Sequence, residues 1–284
     1  MDTLQVPIET AVPDRVETMV VELGYRGGAY SGFAEQKDPA IRTVAGELRH
    51  ALELILRREV KLTCAGRTDA GVHALAQYVS LPVHGDECDR EGRRIVHALV
   101  GITPDDISIR GLYRADASFS ARFDALRRHY RYRIALGETA PIMAQGTSWW
   151  FRQVNELDVA AMHEAAQLLL GERDFKSFCK ASSAEGISTM RCLDQLDVHR
   201  IEEAGEDLIA FAVCANAFLH NMVRTLVGTL VEVGRGAHRP AWVLDVLEAR
   251  DRRAAGQSAP AEGLVLAAVD YPAGALVPWD GGRA

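Results

Sequence analysis

The order in which apolar periodicity changes along this chain constrains its fold more than any other feature. Residues 15–24 set Met19, Val21 and Leu23 at alternate positions, the period of a half-buried strand. From Thr43 the apolar positions Val44, Leu48, Leu52, Ile55 and Leu56 fall at helical spacing, with Arg57 and Arg58 at the end where a helix dipole favours cations. Residues 60–65 and 76–83 return to strand character, 93–100 suit a short helix, and 107–113 a strand after the turn at Pro104-Asp105-Asp106. That is a β-α-β-β-α-β succession. A second series follows: a strand over 130–136, a helix from about 156 to 170 stopped by Gly171, and strands over 193–200 and 208–214. Phe218, Met222, Leu226 and Leu230 then form one helical stripe, widened by Leu219, Val223 and Val227 and ended by Gly234 and Gly236, which predicts burial on two sides. A helix over 240–250 and a continuously apolar strand over 264–269 complete the order. Two split β-α-β halves, an α+β fold with a central mixed, mainly antiparallel sheet flanked by helices, accommodate it. The halves divide as 15–120 and 121–272, between a loose, disordered N-terminal tail over 1–14 and a frayed one over 273–284.

Composition removes the alternatives to a globular chain. With 284 residues, 48% hydrophobic and 25% charged, disorder, collagen and coiled coil are excluded and roughly two domains, or one large one, are expected. No run of 18 apolar residues provides a membrane span. The acidic first residues, without a basic side chain or an apolar core segment, are unlike a signal peptide. Five cysteines, odd in number and without C-x-x-C spacing, suggest neither a disulfide framework nor a zinc knuckle and fit a reducing cytoplasm. A net charge of −7 argues against a polyanionic partner unless positive charge is concentrated locally.

It is concentrated locally. Residues 122–133, Arg122-Phe123-Asp124-Ala125-Leu126-Arg127-Arg128-His129-Tyr130-Arg131-Tyr132-Arg133, carry five arginines against one acid. Period-2 alternation sends Tyr130 and Tyr132 to one face and His129, Arg131 and Arg133 to the other. Arginines beside aromatics suit phosphate contact and base stacking, although a solvated sheet face with core tyrosines explains the residues equally well. The second polar concentration is Gly66-Arg67-Thr68-Asp69-Ala70-Gly71-Val72-His73, between two strands. It reads either as a turn in which Asp69 bonds backbone N–H groups and pairs with Arg67, or as an active loop offering a guanidinium, a carboxylate and an imidazole. Ser177-Phe178-Cys179-Lys180 lacks the partner motifs of an acylating serine site, the glycines at 24, 27, 28 and 32 fit no nucleotide cradle, and His73, His84, His97 and His220 lack metal-site spacing. No metal is expected.

The run Cys64-Ala65-Gly66-Arg67-Thr68-Asp69-Ala70-Gly71-Val72-His73 resembles the signature of the tRNA pseudouridine synthase A family. Further similarity runs through Gly24-Tyr25, Gly32-Phe33, Arg42-Thr43-Val44, Ala121-Arg122-Phe123, Tyr130-Arg131-Tyr132, Asp174-Phe175 and 215–224 (ANAFLHNMVR). It continues through Glu232-Val233-Gly234, Ala261-Glu262-Gly263-Leu264 and Val269-Asp270-Tyr271-Pro272. The resemblance implies two ferredoxin-like halves and an isomerase that converts uridine to pseudouridine on the 3′ side of the tRNA anticodon stem-loop. It also implies a cytoplasmic homodimer without metal or organic cofactor, with tRNA as partner. It puts Asp69 at the catalytic aspartate, Arg67 at the arginine that displaces the target base, and Tyr130 at the tyrosine against the flipped uracil. His73, Arg122, Arg128, Arg131, His220 and Arg224 are expected to contact substrate. Arg26, Phe33-Ala34, Ser120 and the stretch 98–104 depart from the family pattern, none of them at those three positions. Two other classes remain: an RNA-binding module without catalysis, which has no need of Asp69, and a Cys or Ser hydrolase, for which no base lies beside a nucleophile in any known pattern.

Overall fold

Val16–Tyr25 (β1), expected as a half-buried strand, is covered on both faces in its middle: Met19, Val20, Val21 and Leu23 have no exposed surface. It is followed by Val44–Leu56 (α1), Thr63–Cys64 (β2), His73–His84 (β3), Gly92–Ile102 (α2) and Ile107–Ala115 (β4). The second series comprises Arg127–Leu136 (β5), Trp149–Phe151 (β6), Val159–Gln167 (α3), Gly171–Asp174 (β7), Met190–Glu203 (β8) and Glu206–Ala215 (β9). Met222–Gly234 (α4), Trp242–Ala249 (α5), Leu264–Asp270 (β10) and Val277–Pro278 (β11) close the chain. The computed structural model describes residues 15–152, 157–183 and 185–279. The tail expected over 1–14 lies outside them, as do residues 280–284.

One eleven-stranded sheet runs through both series, in the order β11-β4-β1-β3-β10-β5-β9-β8-β7, with β2 against β3 and β6 against β5. The first series lies in the order fourth, first, third, second, β4-β1-β3-β2, and β10-β5-β9-β8 repeats that order when the short β6 and β7 are left out. Pairing is antiparallel except between β10 and β3 and between β5 and β6, so the sheet is mixed and mainly antiparallel. β10, the last long strand made, sits between the two series, pairing Val265 and Leu266 with His73 and Ala74 on one side and running along β5 on the other. One large apolar cluster draws on both series, with a small second one of Ala135, Ala144 and Leu208 beside it. Helix ends follow local chemistry: the Thr43 hydroxyl accepts the Gly46 N–H at 3.2 Å and the Asp158 carboxylate that of Ala161 at 2.9 Å, caps worth about 1 kcal/mol each. Burial of α4 on two sides holds, with Leu226, Val227 and Leu230 fully covered. Gly228 lets it approach the segment after α5, where a Cβ would stand 1.7 Å from the Gln257 carbonyl oxygen. Among the described residues no helix is long and apolar enough to cross a membrane.

Three expectations are corrected. The strand expected over 60–65 shrinks to β2, because the chain must leave the sheet to open the loop that follows. The helix expected from Phe218 begins at Met222, because Asn221 adopts a left-handed backbone (φ 65°). Residues 273–279 do not fray: β11 pairs with β4, and the Trp279 indole is 5% exposed, donates to the Arg90 carbonyl at 2.8 Å and carries the Arg114 guanidinium over its ring.

Candidate active site

Where β2 leaves the sheet, a side chain replaces the backbone ladder. Gln77, fully buried, donates to the Gly66 carbonyl at 2.6 Å and accepts the Gly66 N–H at 3.4 Å. The loop that starts there is backed by the glycine-rich turn after β1. Phe33 N–H donates to the Thr68 carbonyl at 3.0 Å, Gly71 N–H to the Tyr30 carbonyl at 3.4 Å, and the Thr68 and Tyr25 hydroxyls share a buried 2.7 Å bond. The two segments touch so closely that a Cβ on Gly27 would lie 1.9 Å from the Val72 carbonyl oxygen. With its backbone fixed this way, the loop turns Arg67 and Asp69 outward.

Asp69 meets the start of α4. Its Oδ1 lies 3.2 Å from His220 Nε2 and its Oδ2 3.5 Å from Arg224 Nη1, with the carboxyl side chain 29% exposed. Arg224 is anchored by donating Nε to the Ala259 carbonyl at 2.7 Å and Nη1 to Asn221 Oδ1 at 3.1 Å. The Ser183 hydroxyl stands 2.9 Å from His220 Nδ1, and when it donates there the Nε2–H faces Asp69. The expected pairing of Asp69 with Arg67 is therefore corrected: Arg224 supplies the guanidinium, and among the described residues the Asp69 carboxylate accepts no backbone N–H. A carboxylate that accepts no backbone N–H among the described residues and lies between an imidazole and a guanidinium is available to react.

Tyr130 closes the other side. Its ring packs edge-on against Phe218 with centroids 5.0 Å apart, and its oxygen is 3.7 Å from where a Cβ on Gly66 would stand. Burial pushes the phenol pKa well up, and the nearby Asp69 charge adds to this while Arg128 opposes it. Tyr130 is thus a hydrogen-bond donor rather than a base, and its hydroxyl has no protein partner among the described residues.

The remaining expected contacts divide. Arg67 and Arg122 are exposed, with no carboxylate partner among the described residues. Arg128 shares the Tyr130 face but is buried, and its five N–H donors go to the carbonyls of Ala65, Ala125, Asn216 and Arg122 at 2.6–3.3 Å. This guanidinium is a clamp between the 65–72 loop, the 122–125 turn and the approach to α4, with no donor left for a phosphate. His73 is 6% exposed beneath the loop, its Nδ1 accepting the Gly27 N–H at 3.1 Å, and does not face the site. Arg131 points from β5 to the face opposite Tyr130. Phe218, read from the sequence as helix core, is instead the wall behind Tyr130; only its place four residues before Met222 hinted at an interior position. Among the described residues no three His, Cys, Asp or Glu side chains are grouped to hold a metal ion.

Comparison with known proteins follows this geometry. A family model described as tRNA pseudouridine synthase matches residues 165–272. The chain is 43% identical over 261 residues to tRNA pseudouridine synthase A of Methylobacterium nodulans, covering 91% of this chain and 96% of that protein. It is 40% identical over 260 residues to tRNA pseudouridine synthase A of Vibrio campbellii, covering 89% and 92%. The protein of that name from Hyphomonas neptunium is 40% identical over 250 residues, covering 88% and 96%.

Proposed function

This chain belongs to the tRNA pseudouridine synthase A family and isomerises uridine to pseudouridine in the anticodon stem-loop of tRNA, and we propose that Asp69 is the reacting group. One observation carries the assignment: a carboxylate held between His220 and Arg224, whose charge acts on a buried phenol with no hydrogen-bond partner among the described residues. The reaction breaks the N1–C1′ bond, turns the uracil and joins C5 to C1′. The C5 hydrogen leaves as a proton and N1 gains one. A single carboxylate acting as nucleophile or base suffices for these steps, and no redox partner is required. Arg224 and His220 orient Asp69, while the Tyr130 O–H donates to an acceptor on the extruded base and its ring supports that base. Arg67, exposed on the same loop, fills the space the base leaves in the stack.

The same reading extends to architecture and setting. The fourth-first-third-second strand order, repeated in the second series when β6 and β7 are left out, supports two ferredoxin-like halves. Free thiols at all five cysteines support a reducing cytoplasm. A homodimer is the assembly the family resemblance implies, and sedimentation of the purified chain tests it.

Release of tritium from C5-labelled uridine in tRNA tests the chemistry. Asp69→Asn keeps the size of the side chain, so melting and tRNA binding should match wild type while release falls by at least about 10³-fold. Release at the wild-type rate by a folded, tRNA-binding Asp69→Asn would sink the assignment.

A further inference from the structure

Of all the Phe, Tyr and Trp side chains, Phe123 alone is exposed, at 78%. It stands at the tip of the turn between β4 and β5, and that turn is firmly built. Ala121 N–H donates to the Ser80 hydroxyl at 3.0 Å, and the Ala121 carbonyl accepts from the Tyr271 hydroxyl at 2.7 Å. Ser120 N–H donates to Asp124 Oδ2 at 2.7 Å, Asp124 N–H to the Ser120 carbonyl at 3.1 Å, and Leu126 N–H to the Asp270 carbonyl at 2.8 Å. An apolar ring on a mobile tip would be unremarkable; one held outward by so many fixed backbone groups is presented.

What it is presented to follows from its neighbours. Arg122 lays its guanidinium over the Phe123 ring, 5.3 Å from the centroid. One Arg128 nitrogen, Nη2, donates both to the Arg122 carbonyl at 2.6 Å and to the Ala65 carbonyl at 3.0 Å, so the turn is tied to the strand end from which Gly66 and Arg67 project. Two exposed cations without a carboxylate partner among the described residues and one outward ring thus stand on two segments tied together through Arg128, a charge pattern complementary to a polyanion carrying flat, stackable groups.

We propose that the turn 120–126 is an RNA-reading prong, in which the Phe123 ring stacks on a nucleobase next to the target uridine and Arg122 contacts the adjoining phosphate. The proposal rests on the functional reading above for its substrate class. Extruding a uridine leaves its neighbours unstacked, and an aromatic face fixed relative to the catalytic loop restores one of those stacks only when the flanking nucleotide is correctly placed. Phe123 is therefore a specificity-determining contact and no part of the bond-making step.

The test uses the full chain and an unmodified tRNA transcript, with binding and turnover measured separately. Phe123→Ala should weaken the tRNA Kd by about 10-fold or more, the loss of one base–aromatic stack, and raise KM in proportion, with kcat within about two-fold. Phe123→Trp should restore both. Arg122→Ala should lower the slope of log Kd against log salt by about one. A Kd for Phe123→Ala within two-fold of wild type overturns the proposal, as does a changed sedimentation coefficient, which would assign the ring to contact with a second copy of the chain. Because Kd is read without turnover, a wild-type chain that binds tRNA but releases no tritium defeats the functional reading and still decides the prong.

Discussion

In the two halves of this molecule the same connection, from the second strand to the third, is made in opposite ways. In the second half, fourteen residues of β8 turn into β9 through Ala204 and Gly205 alone, both with positive φ (55° and 76°), the tight hairpin whose twist matches the strands it joins. In the first half β2 is two residues long and the connection to β3 occupies residues 65–72, where Arg67 and Asp69 project. The hairpin is held by its own ladder. The open connection keeps one ladder bond, from Ala65 N–H to the Tyr78 carbonyl at 2.8 Å, and borrows its other restraints: the Gln77 amide, the glycine-rich turn and the Arg128 clamp. A strand that would otherwise continue has been cut short, so that backbone hydrogen bonds are replaced by side chains and polar groups can face outward.

If that contrast is right, removing the borrowed restraint should do the most damage. Arg128→Met strands carbonyls at Ala65, Arg122, Ala125 and Asn216, and urea unfolding should show a loss of about 3 kcal/mol or more. A loss under about 1 kcal/mol would mean the loop holds itself.

A smaller effect comes from His73, where the open connection rejoins β3. Burial holds its pKa below the ordinary histidine value, so the folded chain stays unprotonated where the unfolded chain already binds a proton. Its contribution is complete above about pH 6.5 and is lost as pH falls through the lowered folded value. Urea midpoints for wild type should therefore drop on acidification from about pH 7 to 5, and His73→Gln should show a shallower drop; equal slopes would remove His73 from the account. The smallest change belongs to the closed connection. Ala204→Asn suits the positive φ better than alanine and should stabilise by about 0.5 kcal/mol with tritium release unchanged.

The same contrast separates what could be read from the sequence from what could not. The long strands and helices were legible because each carries its own period; the two-residue turn at Ala204 and Gly205 was not, because β8 and β9 run beyond the strands expected over 193–200 and 208–214. The extent of β2 was not, since what ends it is a bond from Gln77, a residue in the neighbouring strand. Phe218 misled because it continues the apolar stripe of α4 while belonging to the wall of the site. Asp69 and Tyr130 were named from the residues and the family resemblance together. Arg128 was mistaken for a phosphate contact because its acceptors come from Ala65, Arg122, Ala125 and Asn216, which no local pattern joins. The partnership of Asp69 with His220 and Arg224 spans more than half the chain and leaves no periodic trace.

The position of β10 has a consequence for how the protein is made. Asp69 leaves the ribosome early, and its partners His220 and Arg224 follow much later in the chain. The strand that joins the two halves, Leu264–Asp270, emerges after all of them. A chain halted before Leu264 contains every reacting side chain yet lacks the piece that brings β3 alongside β5. Until it is made, the loop that bears Asp69 and the strand that bears Tyr130 lie in halves that no shared strand joins.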